Sequence, residues 1–187
     1  MRTLLAAALL SVCAAAPRAW AAPAQVIIIR HGEKPDSGPD LDERGYQRAQ
    51  ALVGYFQNNP AVTQFGAPAA IYAMDPKREG GSMRAIETVQ PLAQALGLSV
   101  NTDYTRKQIQ PLVSDIMSNP AYDGKMVLIC WEHSVIPDIA QAFGWTAAPR
   151  SWPGNAFDRT WILTFQGDQV VNFVDAPQNL LPGDSPQ

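Results

Sequence analysis

The chain has 187 residues, of which 47% are apolar and 17% charged, and a net charge of -3 at pH 7. That is the balance of one soluble globular domain with a single sizeable core, and it excludes a disordered chain. A mildly acidic protein without basic runs is also a poor partner for nucleic acid or an anionic membrane.

Residues 1–21 begin with a basic Arg2, continue through an apolar stretch from Leu4 to Ala16, and end in Ala19-Trp20-Ala21 after Pro17. This pattern predicts a secretory signal peptide followed by one domain over 22–187, exported to a periplasmic or extracellular space and without stable membrane insertion. A core helix and a lipid anchor on Cys13 fit less well, because a first strand follows at once and Val12 stands where a lipoprotein signal has a small residue. With the leader removed, Cys130 is the one remaining cysteine, so no intramolecular disulfide can form. Its apolar strand context, V127-L-I-C-W131, predicts a buried, inert thiol.

Val26 to Ile29 is a continuous apolar run of the buried parallel-strand kind. Tyr46, Ala49, Leu52, Val53 and Phe56 then recur at helical spacing, with Asp42 as N-cap and Asn58-Asn59-Pro60 as the stop. Ala69 to Met74 is the next strand. A second helix starts at Ser82, carries Met83, Ile86, Val89, Ala93 and Leu96 inward, is kinked by Pro91 and stops at Gly97. Leu98 to Asn101 could be a third strand. Leu112 to Met117 is helical up to Asn119-Pro120, Met126 to Trp131 is a strong strand, and Pro137 to Phe143 is a helix. Thr160 to Phe165 and Val170 to Val174 form a hairpin about Gln166-Gly167-Asp168, and the polar tail from Pro177 is expected to fray. The alternation predicts an α/β three-layer sandwich, a mostly parallel central sheet with helices on both faces.

In such a sheet, ligands bind outside the carboxyl ends of the strands. Both histidines of the chain sit at such ends, His31 after the first strand and His133 after the strand ending at Trp131. A metal site needs three or four ligands, and two histidines with Glu33 or Glu132 make a weak set, so no metal or other cofactor is expected. No GxSxG elbow is present for a serine hydrolase. Histidine as a nucleophile on phosphorus remains. Arg30, next to His31, can hold phosphate oxygens with its guanidinium fork, and Gly32 allows the backbone to approach the anion. Arg84, in the first turn of its helix, is the second arginine on the same edge.

The motifs R30-H-G-E33, L41-D-E-R-G45-Y-Q-R-A49 and S82-M-R-A-I-E-T88, with a late strand ending in a histidine, resemble the histidine phosphatase superfamily, which has the phosphoglycerate-mutase-like fold. The similarity runs from about Val26 to at least Phe143. It implies a metal-independent phosphoric monoester hydrolase with His31 as the phosphorylated nucleophile and Arg30, Arg84 and His133 around the phosphate. His133 would then stabilise the equatorial oxygens.

The chain departs from that family at the proton donor. Between Arg84 and His133 the stretch 98–110 offers only Asp103, and Asp115 lies in a helix. Glu132 beside His133, Glu33 in the nucleophile loop, and no acid at all are the alternatives. No long insertion caps the site, so an open pocket should admit a phosphorylated small molecule or a phosphorylated macromolecule. Lys34, Lys77 and Arg78 could extend a positive rim, and the segment 150–159 could line the pocket, although packing of Trp152 and Phe157 on the core fits better. The alternative function is a non-catalytic module that binds a phosphate ligand.

Overall fold

The computed structural model describes residues 22–77 and 80–185. The expected leader over 1–21 and the expected rim residue Arg78 lie outside the described residues. Among the described residues no helix is long and apolar enough to cross a membrane.

A six-stranded sheet runs through the molecule in the order β3-β2-β4-β1-β5-β6. Strands β1 (Gln25–Arg30), β2 (Pro68–Ala73), β3 (Val100–Asn101) and β4 (Met126–Trp131) are mutually parallel, whereas β5 (Arg159–Gln166) and β6 (Gln169–Pro177) form an antiparallel hairpin added beside β1. The central position of β1, between β4 and β5, explains its unbroken apolar run. Val26, Ile27, Ile28 and Ile29 are all 0% exposed, each contributing about 1.5–3 kcal/mol by leaving water.

Five helices complete the layers: α1 (Glu43–Asn58), α2 (Pro60–Thr63), α3 (Arg84–Leu96), α4 (Ile109–Ser118) and α5 (Ile136–Ala142). Helix α1 packs on α3 and α4 packs on α5. The pleat places the two pairs on opposite faces. Tyr72 stands beside Ile129 and donates to Asp115 of α4, while Cys130, one residue on, meets Thr88 of α3.

The element signals act as local chemistry predicts. Asp42 caps α1 through the Gly45 amide, and Gly97 ends α3 in the left-handed region at φ 66°. Several expectations need correction. Helix α3 buries Ala85, Thr88, Val89, Leu92 and Ala93, with Ile86 and Leu96 only partly buried, because it packs on α1 as well as on the sheet. Strand β3 is two residues long and a short α2 follows α1, its Pro60 set up by Asn59. The tail does not fray: Gln178 is 3% exposed and the Asp184 side chain 3%.

Candidate active site

Strands β1 and β4 are parallel neighbours in register, Arg30 opposite Trp131, so their carboxyl ends deliver Arg30-His31 and Glu132-His133 to one edge. The His31 amide donates to the Trp131 carbonyl at 3.1 Å and extends the pairing by one residue. Beyond it the chain turns away to meet α1 and α3. The Gly32 amide donates to Thr88 Oγ1 at 2.8 Å, and Thr88 Oγ1 donates in turn to the Arg84 carbonyl at 2.7 Å.

His31 is 4% exposed. Its Nδ1 lies 2.8 Å from the Gly32 carbonyl oxygen, an acceptor only, which assigns the ring proton to Nδ1 and the lone pair to Nε2. Burial lowers the imidazole pKa to about 4, helped by the charges of Arg30, Arg84 and His133 and opposed by the bond to Gly32. The ring is therefore neutral at pH 7 and keeps a nucleophilic nitrogen.

Arg30 is 1% exposed and held from the far side of the sheet. Its Nη1 donates to the carbonyls of Gly154 at 2.8 Å and Ala156 at 3.0 Å, and its guanidinium carbon sits 3.7 Å from the Phe157 ring centroid. Burial brings its pKa down to about 10, so the cation persists at neutral pH. Its Nε is buried and unpartnered among the described residues. The expectation for the 150–159 loop divides: Trp152 packs on Trp161 in the core, whereas Phe157 turns to Arg30 and lies 6.0 Å from the His31 ring.

His133 is partly open, with 30% of its side chain exposed. Its Nδ1 is 3.2 Å from Glu132 Oε1 but is not aligned as a hydrogen bond. Burial, with the Arg30 charge, lowers its pKa, and Glu132 opposes this. Arg84 donates through Nε to the Asp40 carbonyl at 3.2 Å and through Nη2 to the Gly38 carbonyl. It thus fastens the loop after His31 while its charge acts on the ring.

The proton-donor candidates are all engaged or remote. Glu33 receives Arg48 Nε at 2.9 Å, Arg48 Nη2 at 2.6 Å and Arg44 Nε at 3.0 Å. Burial works to raise its pKa, but the bonds and charge of Arg48 prevail and hold it below the usual carboxylate range. Glu132 is likewise held low against its own burial by Arg106 Nε at 2.6 Å and by Ser134. Asp103 is exposed in a turn with Asn101, and Asp115 pairs with Tyr72 on α4. Gly32 also departs from its expected role. Its amide is spent on Thr88, and its lack of a side chain accommodates Gly45, whose Cα and carbonyl oxygen lie 3.0 Å from where a Cβ would be.

No family model matches the chain, and no curated protein is significantly similar to it in sequence. Solved structures do match. The protein histidine phosphatase SixA complexed with tungstate aligns at 13% identity over 81% of this chain and 94% of that one, with a TM-score of 0.56. The alpha-ribazole phosphatase of Shigella flexneri aligns at 14% over 83% and 96%, with a TM-score of 0.53. The phosphoglycerate mutase of Plasmodium falciparum aligns at 17% over 86% and 95%, with a TM-score of 0.51. The chain has the histidine phosphatase fold.

Around that fold's strand edge, several residues gather that sequence reasoning did not single out. Thr88 joins the His31 loop to α3, and Arg106 holds Glu132. Arg48 and Asp184 surround Glu33. Arg44 and Arg48 stand one helical turn apart on α1, a spacing that could have marked a shared acidic partner. Asp184 is 136 residues from Arg48, and nothing local announces it.

Proposed function

We propose that this protein is a phosphohydrolase that transfers a phosphoryl group from a monoester to Nε2 of His31 and then to water. The observation carrying the proposal is the His31 ring itself: buried, neutral, its proton on Nδ1 and its Nε2 left as the free nitrogen, within the field of the Arg30 charge. Nε2 would form the bond to phosphorus as the ester P–O bond breaks, and water would then cleave the P–N bond to release phosphate. Arg30 and Arg84 supply positive charge where the phosphoryl oxygens gather it, and His133 supplies a ring N–H. The proposed substrate is a phosphorylated small molecule or phosphorylated macromolecule, and export through residues 1–21 would place the reaction outside the cytoplasm.

Glu33 and Glu132 both resting as carboxylates, a departing oxygen would take its proton from solvent or leave as a stable anion. The same observation favours the second reading, a phosphate-binding module without turnover. Acid-stable trapping does not suit phosphohistidine, so the test is an alkaline quench after exposure to a phosphoester panel. An acid-labile phosphoryl group on His31, absent in His31→Ala, supports the enzyme. Neither phosphoenzyme nor phosphate release across the panel overturns it.

A further inference from the structure

Arg48 is an unusual buried cation. It is 1% exposed, and all five of its N–H donors have partners. Nε and one Nη2 hydrogen take the two oxygens of Glu33, at 2.9 and 2.6 Å. The other Nη2 hydrogen and one from Nη1 take the two oxygens of Asp184, at 2.7 and 3.0 Å. The last, on Nη1, goes to Gln178 Oε1 at 3.0 Å. Arg44 bridges the same two carboxylates, at 3.0 Å to Glu33 and 2.9 Å to Asp184, so two cations balance two anions. Glu33 belongs to the nucleophile loop. Asp184 belongs to the C-terminal segment and is held there by the amides of Leu180 and Leu181.

That segment also grips the loop on the other flank of the site. Gln178 donates from its amide to the Asp158 carbonyl at 2.8 Å and from Nε2 to the Arg159 carbonyl at 3.0 Å. The Ser185 amide donates to Asp158 Oδ2 at 2.5 Å. Asp158 follows Phe157, the ring on Arg30, and Gly154 and Ala156 supply the carbonyls that orient Arg30. Gly183, Asp184 and Ser185 thereby form one wall of a cleft of about 420 Å³ whose other walls include Glu33, Arg44 and Phe157.

We infer that Arg48 and Asp184 are positioning residues of the His31 site, and that Gln178–Ser185 is a strap holding the His31 loop and the Arg30-orienting loop in register. Arg48 acts through Glu33, two residues from His31. Only the activity arm of the test rests on the phosphohydrolase reading.

The test compares wild type with Asp184→Asn, which keeps the shape of the side chain but removes an acceptor and the charge that Arg48 and Arg44 share. Diethylpyrocarbonate acylation is followed separately at His31 and His133 by peptide mass, alongside turnover of p-nitrophenyl phosphate. In folded Asp184→Asn, His31 should be acylated about tenfold faster while His133 changes less than twofold, and kcat should fall about 10- to 100-fold with a smaller change in KM. General destabilisation would raise both histidines together. An unchanged His31 rate, or equal acceleration of both, overturns the strap. Faster His31 labelling in a protein whose wild type turns over no phosphoester leaves the strap standing and removes the phosphohydrolase reading. If Asp184→Asn does not fold, Gln178→Met removes the acceptor for Arg48 and the donor to the Arg159 carbonyl without removing a charge. It should accelerate His31 about threefold, and no acceleration overturns the inference.

Discussion

Gly32 and Gly45 meet backbone to backbone. A Cβ on Gly32 would sit 3.0 Å from the Gly45 Cα, and a Cβ on Gly45 would sit 2.9 Å from the Glu33 amide nitrogen and closer still to the Glu33 carbonyl oxygen. The first turn of α1 is thus seated directly on the loop that follows His31, and the Asp42 amide, donating to the Glu33 carbonyl at 3.1 Å, ties the two together. Gly45→Ala should cost about 3 kcal/mol of stability, because neither partner is a side chain that can swing away. Gly54→Ala, also in α1, is the contrast. Its Cβ would meet only Asn58 Nδ2 at 4.0 Å, so it should stabilise by about 0.5–1 kcal/mol. Urea unfolding of both variants checks the pair.

Arg30 combines a stacked ring with two carbonyl acceptors, a geometry lysine cannot reproduce. Arg30→Lys is expected to lower kcat/KM for a phosphoester about 10²- to 10³-fold. Phe157→Leu keeps the cation and loses the ring face, so its loss should stay within about tenfold. Steady-state kinetics with p-nitrophenyl phosphate would rank the two variants, and the reverse order would contradict the assigned role of Arg30.

Glu132 is held ionised by Arg106 and Ser134, with its Oε1 3.2 Å from His133 Nδ1. Glu132→Gln should therefore reduce turnover of p-nitrophenyl phosphate and of an alkyl phosphate by the same factor, about tenfold. A much larger loss on the alkyl ester, whose leaving group needs a proton, would instead identify Glu132 as the general acid.

The buried His31 makes a definite pH prediction. Its folded-state pKa of about 4 lies below the ordinary 6.5, so the unfolded chain binds its proton first as pH falls. Stability is complete above pH 6.5, declines by about 3 kcal/mol down to about pH 4, and then loses nothing further through this group. Asp184 acts in the next window. Against its burial, Arg48 and the amides of Leu181 and Leu180 bring its pKa to about 2 from 3.8, so its contribution is lost only as pH falls through that range. Denaturant titrations from pH 8 to 3 should show a decline in wild type that is smaller by about 3 kcal/mol in His31→Ala, the remainder coming from His133, Glu33 and Glu132.

Much of this architecture is local in origin and could be read from the chain. Val26–Ile29 announced a strand buried on both faces, Asp42 and Gly97 announced helix ends, and two histidines at strand termini announced the working edge. The inward face of α3 was misjudged, since periodicity finds an apolar stripe but not the second surface, here α1, that shares it. The tail was misjudged for a related reason. Pro, Gly, Asp and Gln read as a solvated end, and only the chain's return across β5 makes Asp184 a counter-ion for Arg48.

Local sequence sets the candidate pair and its platform: Arg30 and His31 at the end of an apolar strand, with a second such strand leading to His133. Those features depend on residues adjacent in the chain and on the preference of β-branched runs for a sheet interior. The state of each group depends instead on contacts across the fold. His31 is neutral because packing removes water from it, Glu33 and Glu132 are ionised because arginines from α1 and the 101–108 loop reach them, and Arg30 is oriented by carbonyls more than 120 residues away. Protonation and orientation are set by distances across the fold, and no sequence spacing encodes them.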